Sequence, residues 1–453
     1  MGGLEKINTD FAALFREGYA LLEEGCSAVM NGYRKEAFEK FVQLGGIPYK
    51  TEDYIYTNLL PVFERDYHVV LKYIRQDVDL NEAFRCSVTD LVTDPILTVN
   101  GWWFDGNPNP ELPEEVVICS LQEASVKYPD LFHKHYNHYT IKAAKDGIVA
   151  LNTAFAQDGV FVYVPDDVIL ERPLQIINLL RAKRDLMGFQ RNLVILGKHA
   201  QAKILVCDHT LADQNFLMNN VTEVYLGPYA HLDYYQVQNQ HLGASQINSL
   251  FVSEQRNAVL DSNIITLYGG FIRNNMYVSL NEVGGDCNLY GMYILDKKQV
   301  VDNFSYIDHI APHCTSNEHF KGVMDDAALA NFSGCIRVRP DAQKTEAYQA
   351  NNNLLLSDAA RVNTKPQLII DADDVKCSHG ATVGQIDEEA MFYLRSRGIG
   401  REEARMMMMF GFAHDIIRHV QLEPLREKID ELIDKRLRGE LSKCYNCIMQ
   451  CKK

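Results

Sequence analysis

Six short segments of this chain, GKHAQAKIL, GPYAHLDYY, QRNAVLDSN, GGDCNLYGM, DDAALANFS and SDAARVNTK, share one pattern. Each sets a small residue two positions before an apolar one: Ala200 before Ala202, Ala230 before Leu232, Ala258 before Leu260, Cys287 before Leu289, Ala328 before Ala330 and Ala360 before Val362. The small residues follow one another at steps of 30, 28, 29, 41 and 32. Near-constant spacing with one insertion predicts a β-solenoid, in which small residues turn tight corners and inward apolar residues stack into ladders. The texture between about 145 and 375 agrees. Runs such as GVFVYV, RNLVIL, AKILVC, TEVYL and MYVSL alternate with polar turns, and long helical patterns are absent. A β-sandwich with coincidental turns is the competing reading.

Both ends read as helical, so the expected organisation is a helical segment over 1–130, a β-solenoid over 131–385 and a helical segment over 386–453. In the first segment, Asn8 or Thr9 is the expected cap of a helix carrying Phe11, Leu14, Phe15, Tyr19 and Leu22, closed by Gly25. A second helix carries Tyr33, Phe38, Phe41 and Val42 and stops at Gly45-Gly46. In the last segment Asp387 is placed to cap EEAMFYLRSRG, with Gly398 as its stop. Further on, Leu425, Ile429, Leu432, Ile433 and Leu437 share one helix face, which would pack on the solenoid or meet another protein. The run Met406–Met409 cannot lie on one face, and a core role is the first expectation for it.

Charge and cysteine usage narrow the partners. A net charge of −15 argues against nucleic acid and anionic membrane surfaces, which both select basic patches. No stretch of about 18 apolar residues predicts a transmembrane helix. The start MGGLEKINTDFAALF lacks an apolar run behind a basic head, so no signal peptide is expected. Eleven scattered cysteines then suggest reduced thiols in a cytoplasmic setting. Cys26, Cys86, Cys119 and Cys207 have no ligand-like spacing.

Four clusters carry ligand-type residues. In DDVKCSHGATVGQ, Cys377 and His379 stand at i and i+2 and face one way on a strand, with Asp371 and Asp373 at the same parity. Thiolate and imidazole suit iron, zinc and copper, but an iron–sulfur cluster takes about four protein ligands. One strand cannot supply them, so a partner would have to. On spacing alone the plainer reading is preferred, a buried cysteine and a hydrogen-bonded histidine at the last corner. In DHIAPHCTSNEHFKG, Pro312 breaks any helix that would align His309 with His313, so these two, Cys314 and His319 read as a corner or interface. His133, His135 and His138 read as a solvated loop. The tail offers Cys444, Cys447 and Cys451 in C-x-x-C-x-x-x-C spacing, a metal-binding form that lacks a fourth ligand. The nucleotide-binding G-x-x-x-x-G-K-[ST] pattern is absent, and so are G-x-S-x-G, H-E-x-x-H and G-x-G-x-x-G.

The segment DDVKCSHGATVGQIDEEAMFYLRSRGI closely resembles the signature of the SufB/SufD family, the non-ATPase subunits of the Suf iron–sulfur cluster assembly scaffold. The similarity extends through ALNTAFAQDGVFVYVP, DHIAPHCTSNEHFKGV and AQKTEAYQANNNLLLSDAARVNTKPQL. It reaches PYKTEDYIYTNL, where Tyr54 replaces the family's tryptophan and Ile55 its arginine. Within the family, CSHGATVGQ is similar to the SufD branch. The resemblance implies a right-handed parallel β-helix between helical ends. It also implies pairing with a SufB-like paralogue through the β-helix, docking of a SufC-like ATPase on the C-terminal helices, and a non-catalytic scaffold role. It makes His379 a ligand to a transient iron–sulfur cluster shared with the partner, with Cys377 beside it, and it gives no support to Cys444, Cys447 and Cys451. Some complexes of this type carry reduced flavin, for which these residues locate no site. A homodimer in place of the natural pair stays open. Two alternatives are kept: a β-solenoid carbohydrate-active enzyme, and a stand-alone metal-binding protein using the tail cysteines.

Overall fold

A computed structural model describes residues 2–24, 26–75, 91–108, 112–140 and 147–439. Two sheets dominate. Sheet A runs from β4 (Val117–Ser120) through β5 (Val160–Val164), β7 (Leu186–Leu196), β9 (Phe216–Leu226), β11 (Ala244–Glu254), β13 (Phe271–Leu280), β15 (Val300–His309) and β17 (Leu329–Val338) to β19 (Arg361–Ile370), with β1 (His68–Val69) on β7. Sheet B runs from β3 (Trp102–Trp103) through β2 (Asp94–Val99), β6 (Leu174–Leu180), β8 (Gln201–Thr210), β10 (His231–Asn239), β12 (Val259–Tyr268), β14 (Asp286–Leu295), β16 (Thr315–Met324) and β18 (Glu346–Leu355) to β20 (Lys376–Gly384). From β5 on the chain visits A and B alternately, and from β7 on each strand pairs in parallel with the strand two before it, which makes a β-solenoid of about eight turns. The expected solenoid is therefore the observed fold.

The 41-residue step has a different origin from the expected insertion. Ala200, Ala230 and Ala258 directly precede β8, β10 and β12 of sheet B, whereas Ala328 and Ala360 directly precede β17 and β19 of sheet A. The long step is a jump from one sheet to the other. Cys287 is itself two places out, because its register partner is Leu260 and not Ala258. The true ladder is Ala202, Leu232, Leu260, Cys287, Ser316, Ala347 and Cys377. All of these except the last are buried.

The first segment is less helical than expected. Helices α1 (Gly2–Glu24), α2 (Ala28–Gln43) and α3 (Leu60–Phe63) are there, but β2, β3 and β4 also lie within 1–130. The run DPILTV at 94–99 is rich in β-formers and pairs in parallel with β6, so it opens sheet B. Conversely, α4 (Leu121–Lys127), α5 (Pro129–His135) and α6 (Gly147–Phe155) precede the regular coils. Asn8 and Thr9 lie inside α1 and cap nothing; Asn8 instead donates to Gly45 O at 2.9 Å and accepts from Ile47 N at 3.1 Å. That clamp explains Gly46, since a Cβ there would come within 2.1 Å of Asn8 Oδ1. Gly25 and Cys86 lie outside the described residues.

The outer faces are covered unequally. Phe11, Phe41, Phe63 and Phe155 of the N-terminal helices pack with Met187, Phe189, Leu217, Ile247 and Phe271 on the outside of sheet A. On sheet B, α8 (Arg401–Ile417) and α9 (Glu423–Leu437) bury Met409, Ile416, Ile417, Leu425, Ile429, Leu432 and Ile433 against Leu205, Tyr235, Ile265, Tyr290 and Met292. The predicted apolar face of α9 thus packs on the solenoid, and the methionine run splits between buried Met409 and exposed Met407. The final turn has no such cover. Residues of β19 and β20 are half-buried or exposed throughout.

Candidate functional site

The rim formed by β20 holds the two residues that the sequence singled out. Cys377 ends the inward ladder described above. His379 ends the neighbouring inward ladder, which runs Ile204, Tyr234, Ser262, Leu289, Glu318, Gln349 and His379. Every earlier member of both columns is sealed by the next turn. No described strand follows β20 on its far side, so the same inward positions open to solvent. His379 is exposed and Cys377 half-buried against the core. Burial pushes the Cys377 thiol up, so the free chain holds it protonated at neutral pH.

The carboxylates expected beside them behave differently. Strand parity stops at the corner between Ile370 and Lys376, so Asp371 and Asp373 are not on β20. Asp371 is engaged by Arg337 at 3.1 Å.

Behind the rim the bore, apolar along much of its length, also carries inward polar side chains. Gln349 donates to Glu318 Oε2 at 2.6 Å, one turn below His379. Burial pushes the Glu318 carboxyl up to about 7. His309, on the facing sheet, shares a 2.8 Å hydrogen bond with Ser316 Oγ, and burial pushes its imidazole down to about 4. Further in, Asn220, Asn248, Asn274 and Asn303 form a buried amide ladder with spacings of 2.9, 3.1 and 3.0 Å. Sequence reasoning missed this lining, because an inward polar column shows only once the strand register is known.

The remaining expected clusters do not converge. His309 is inside the coil, while His313 sits exposed at a corner with φ of 60°. Cys314 donates to Glu282 O at 3.3 Å, and His319 bonds Asn352 Oδ1 at 2.9 Å on the outer face. His135 and His138 bond the carbonyls of Leu131 and His133 at 2.9 and 3.0 Å. Cys444, Cys447 and Cys451 lie outside the described residues. Among the described residues no helix is long and apolar enough to cross a membrane.

The loop PYKTEDYIYTNL is tied to the coil. Tyr54 is buried with the Arg273 guanidinium 3.7 Å over its ring, and Arg273 donates to Asp53 O at 2.9 Å. Arg273 and Thr57 both bond the buried Asp302 carboxylate.

Comparison with known families bears directly on this arrangement. A family model described as "SUF system FeS cluster assembly, SufBD core domain" matches residues 179–412, and one described as "SufBD protein N-terminal region" matches 5–176. The chain belongs to the SufBD family. The SufBD core match takes in the regular coils, the bore and the rim with Cys377 and His379. An iron–sulfur cluster assembly SufBD family protein of Synechocystis is 32% identical over 306 residues, 66% of this chain and 65% of that protein. The iron–sulfur cluster assembly protein SufD of Escherichia coli is 38% identical over 192 residues, 42% of this chain and 45% of that protein. SufD of Bacillus subtilis is 26% identical over 334 residues, 71% of this chain and 74% of that protein. The matches therefore span less than two thirds of the Synechocystis and Escherichia coli SufBD proteins.

Proposed function

We propose that this chain is a SufD-like, non-catalytic scaffold subunit of a cytoplasmic Suf complex, and that its rim supplies part of the coordination sphere of a nascent iron–sulfur cluster. One observation carries the proposal: Cys377 and His379 end two inward columns on a strand that has lost its cover. An imidazole and a thiol in that position are half of a site, and a second solenoid edge would bring the other half. The occupant is a SufB-like paralogue. Iron and sulfide are cargo here, so transient ligation suits a ligand set divided between two chains. His379 in its neutral form offers a ring nitrogen to iron, and Cys377 adds sulfur once metal displaces its proton.

The driving force would come from a partner. α7 (Glu388–Ser396) follows the rim directly, and it leaves Phe392 and Tyr393 exposed by 73% and 57%. We assign to it and to α8 the docking of a SufC-like ATPase. Arg436 of α9 donates to Leu267 O and Gln299 Oε1, both at 2.8 Å, and pairs with Asp296 at 2.6 Å. Lys321 of β16 pairs with Asp415 of α8 at 2.8 Å. A pull on the helices upon ATP binding would thus reach sheet B and shift the rim between two states of different ligand exposure. No residue of this chain is assigned to flavin. The two enzyme-type and stand-alone metal-protein alternatives gain no support from the relatives.

The test is His379→Ala in a complex reconstituted from this chain, its paralogue and its ATPase. Folding and partner binding should match wild type, while cluster formation, followed by iron and sulfide uptake, should fall at least several-fold. Assembly at the original rate would make His379 a structural residue only.

A further inference from the structure

Away from the rim, three side chains converge on the outer face of sheet B: His231 and Asp233 of β10 and Asp261 of β12. Parity puts them there. Leu232 and Leu260 point into the coil, so their sequence neighbours point out. Register then sets Asp233 directly beside Asp261. His231 Nε2 lies 3.0 Å from Asp261 Oδ2 and 3.8 Å from Asp233 Oδ1. One ligand atom from each residue lies within 4.8 Å of the other two.

A second observation points to a ligand. The Asp233 side chain is only 9% exposed; the Tyr235 hydroxyl interacts with its carboxylate, while the buried Oδ1 makes no hydrogen bond within 3.5 Å among the described residues and lies 3.8 Å from His231 Nε2. Leaving a buried carboxylate oxygen unmatched is costly. This one faces the imidazole and the second carboxylate. The His231 side chain is 38% exposed, which leaves an approach from solvent and room for water ligands. Lys203 is the register neighbour of Asp233 on the other side and offsets part of the negative charge.

We propose that His231, Asp233 and Asp261 bind a divalent first-row transition-metal ion, a class that includes ferrous iron. One imidazole nitrogen with two carboxylates is a borderline donor set, favouring Fe²⁺, Mn²⁺ or Zn²⁺ over the all-oxygen cages of Ca²⁺ or the thiolate sites of Cu⁺. The site lies near the helices assigned above: His419, in the connection between α8 and α9, stacks at 3.9 Å on Tyr290 of β14, the strand next to β12. The metal site itself does not rest on the Suf reading, because binding is measured on the chain alone.

The experiment is anaerobic calorimetric titration of the full chain with Fe²⁺, on wild type, His231→Gln, Asp233→Asn and, as a control at an exposed histidine outside both sites, His133→Gln. Wild type and His133→Gln should bind one equivalent alike, and the other two should bind at least about 10-fold more weakly. Equal binding by all four overturns the site and leaves a plain His–Asp ion cluster. Should either cluster variant fail to fold, anomalous scattering at the iron edge from Fe²⁺-soaked wild-type crystals decides. A peak between the three residues supports the site, and its absence ends it.

Discussion

Glu318 and His309 face the same bore and are perturbed by the same cause, with opposite consequences for pH. Burial penalises the charged form of each. Glu318 is raised from 4.5 to about 7, so between those values the unfolded chain releases a proton that the native chain keeps. Stability from this group is intact at low pH and lost as pH rises through that window, a deficit of about 3 kcal/mol by pH 7.5. His309 is lowered from 6.5 to about 4, so its contribution is lost as pH falls through that range. Glu318→Gln keeps the shape of the neutral acid at every pH. It should be about 1–3 kcal/mol more stable than wild type at pH 7.5 and nearly equal at pH 4.5, by urea unfolding at both values. A difference independent of pH would mean that Glu318 is not held neutral. At the same scale, Tyr54, where the resemblance led to an expectation of tryptophan, offers the Arg273 guanidinium an aromatic face to stack on at 3.7 Å.

Two elements carry the partner contacts. β20 is an edge strand whose Lys376 N–H donates to Thr345 O at 2.9 Å. By alternation, the N–H groups of Cys377, His379, Ala381 and Val383 face the free side. Ala381→Pro therefore removes one outward donor while sparing the ladder to β18. It should fold normally and bind the paralogue at least about 10-fold more weakly, as read by analytical ultracentrifugation of the mixture. Unchanged affinity would move the interface off this edge. In α7, Asp387 caps the helix by accepting from Glu389 N at 2.8 Å and Ala390 N at 3.2 Å, and Gly398, at φ of 87°, ends it. Both ends are fixed locally, so the exposed pair Phe392 and Tyr393 can be changed without unfolding the helix. Phe392→Asp with Tyr393→Asp should abolish pull-down of the ATPase and leave paralogue pairing intact. Loss of both would indicate general damage and count against separate docking surfaces.

On the scale of the whole molecule, a coil covered on both outer faces and bare at its last turn must either be tolerated in water or find a partner. Exposed edge strands favour pairing, while a net charge of −15 on each copy opposes self-association. Dimers of the isolated chain should therefore strengthen as salt rises from about 50 to 500 mM, because screening removes the repulsion. Sedimentation at the two salt levels checks this, and weaker association at high salt would argue against an edge-to-edge pair of backbones. The solenoid was legible in the sequence because a coil near 30 residues long repeats its corner chemistry, and the Cys377–His379 pair because ligand types two apart share a strand face. The helices of the last segment were legible from caps and apolar spacing. What the sequence left open is what depends on contacts between distant turns. It could not tell a change of sheet from an insertion at the 41-residue step, or find β2 within a segment read as helical. The stacking of Glu318 under Gln349 and His379, and the meeting of His231 and Asp233 with Asp261, were hidden in the same way. Local pattern records which way a side chain points along its own strand; which side chains become neighbours is set by the register between strands some thirty residues apart, and that exists only once the coil has closed.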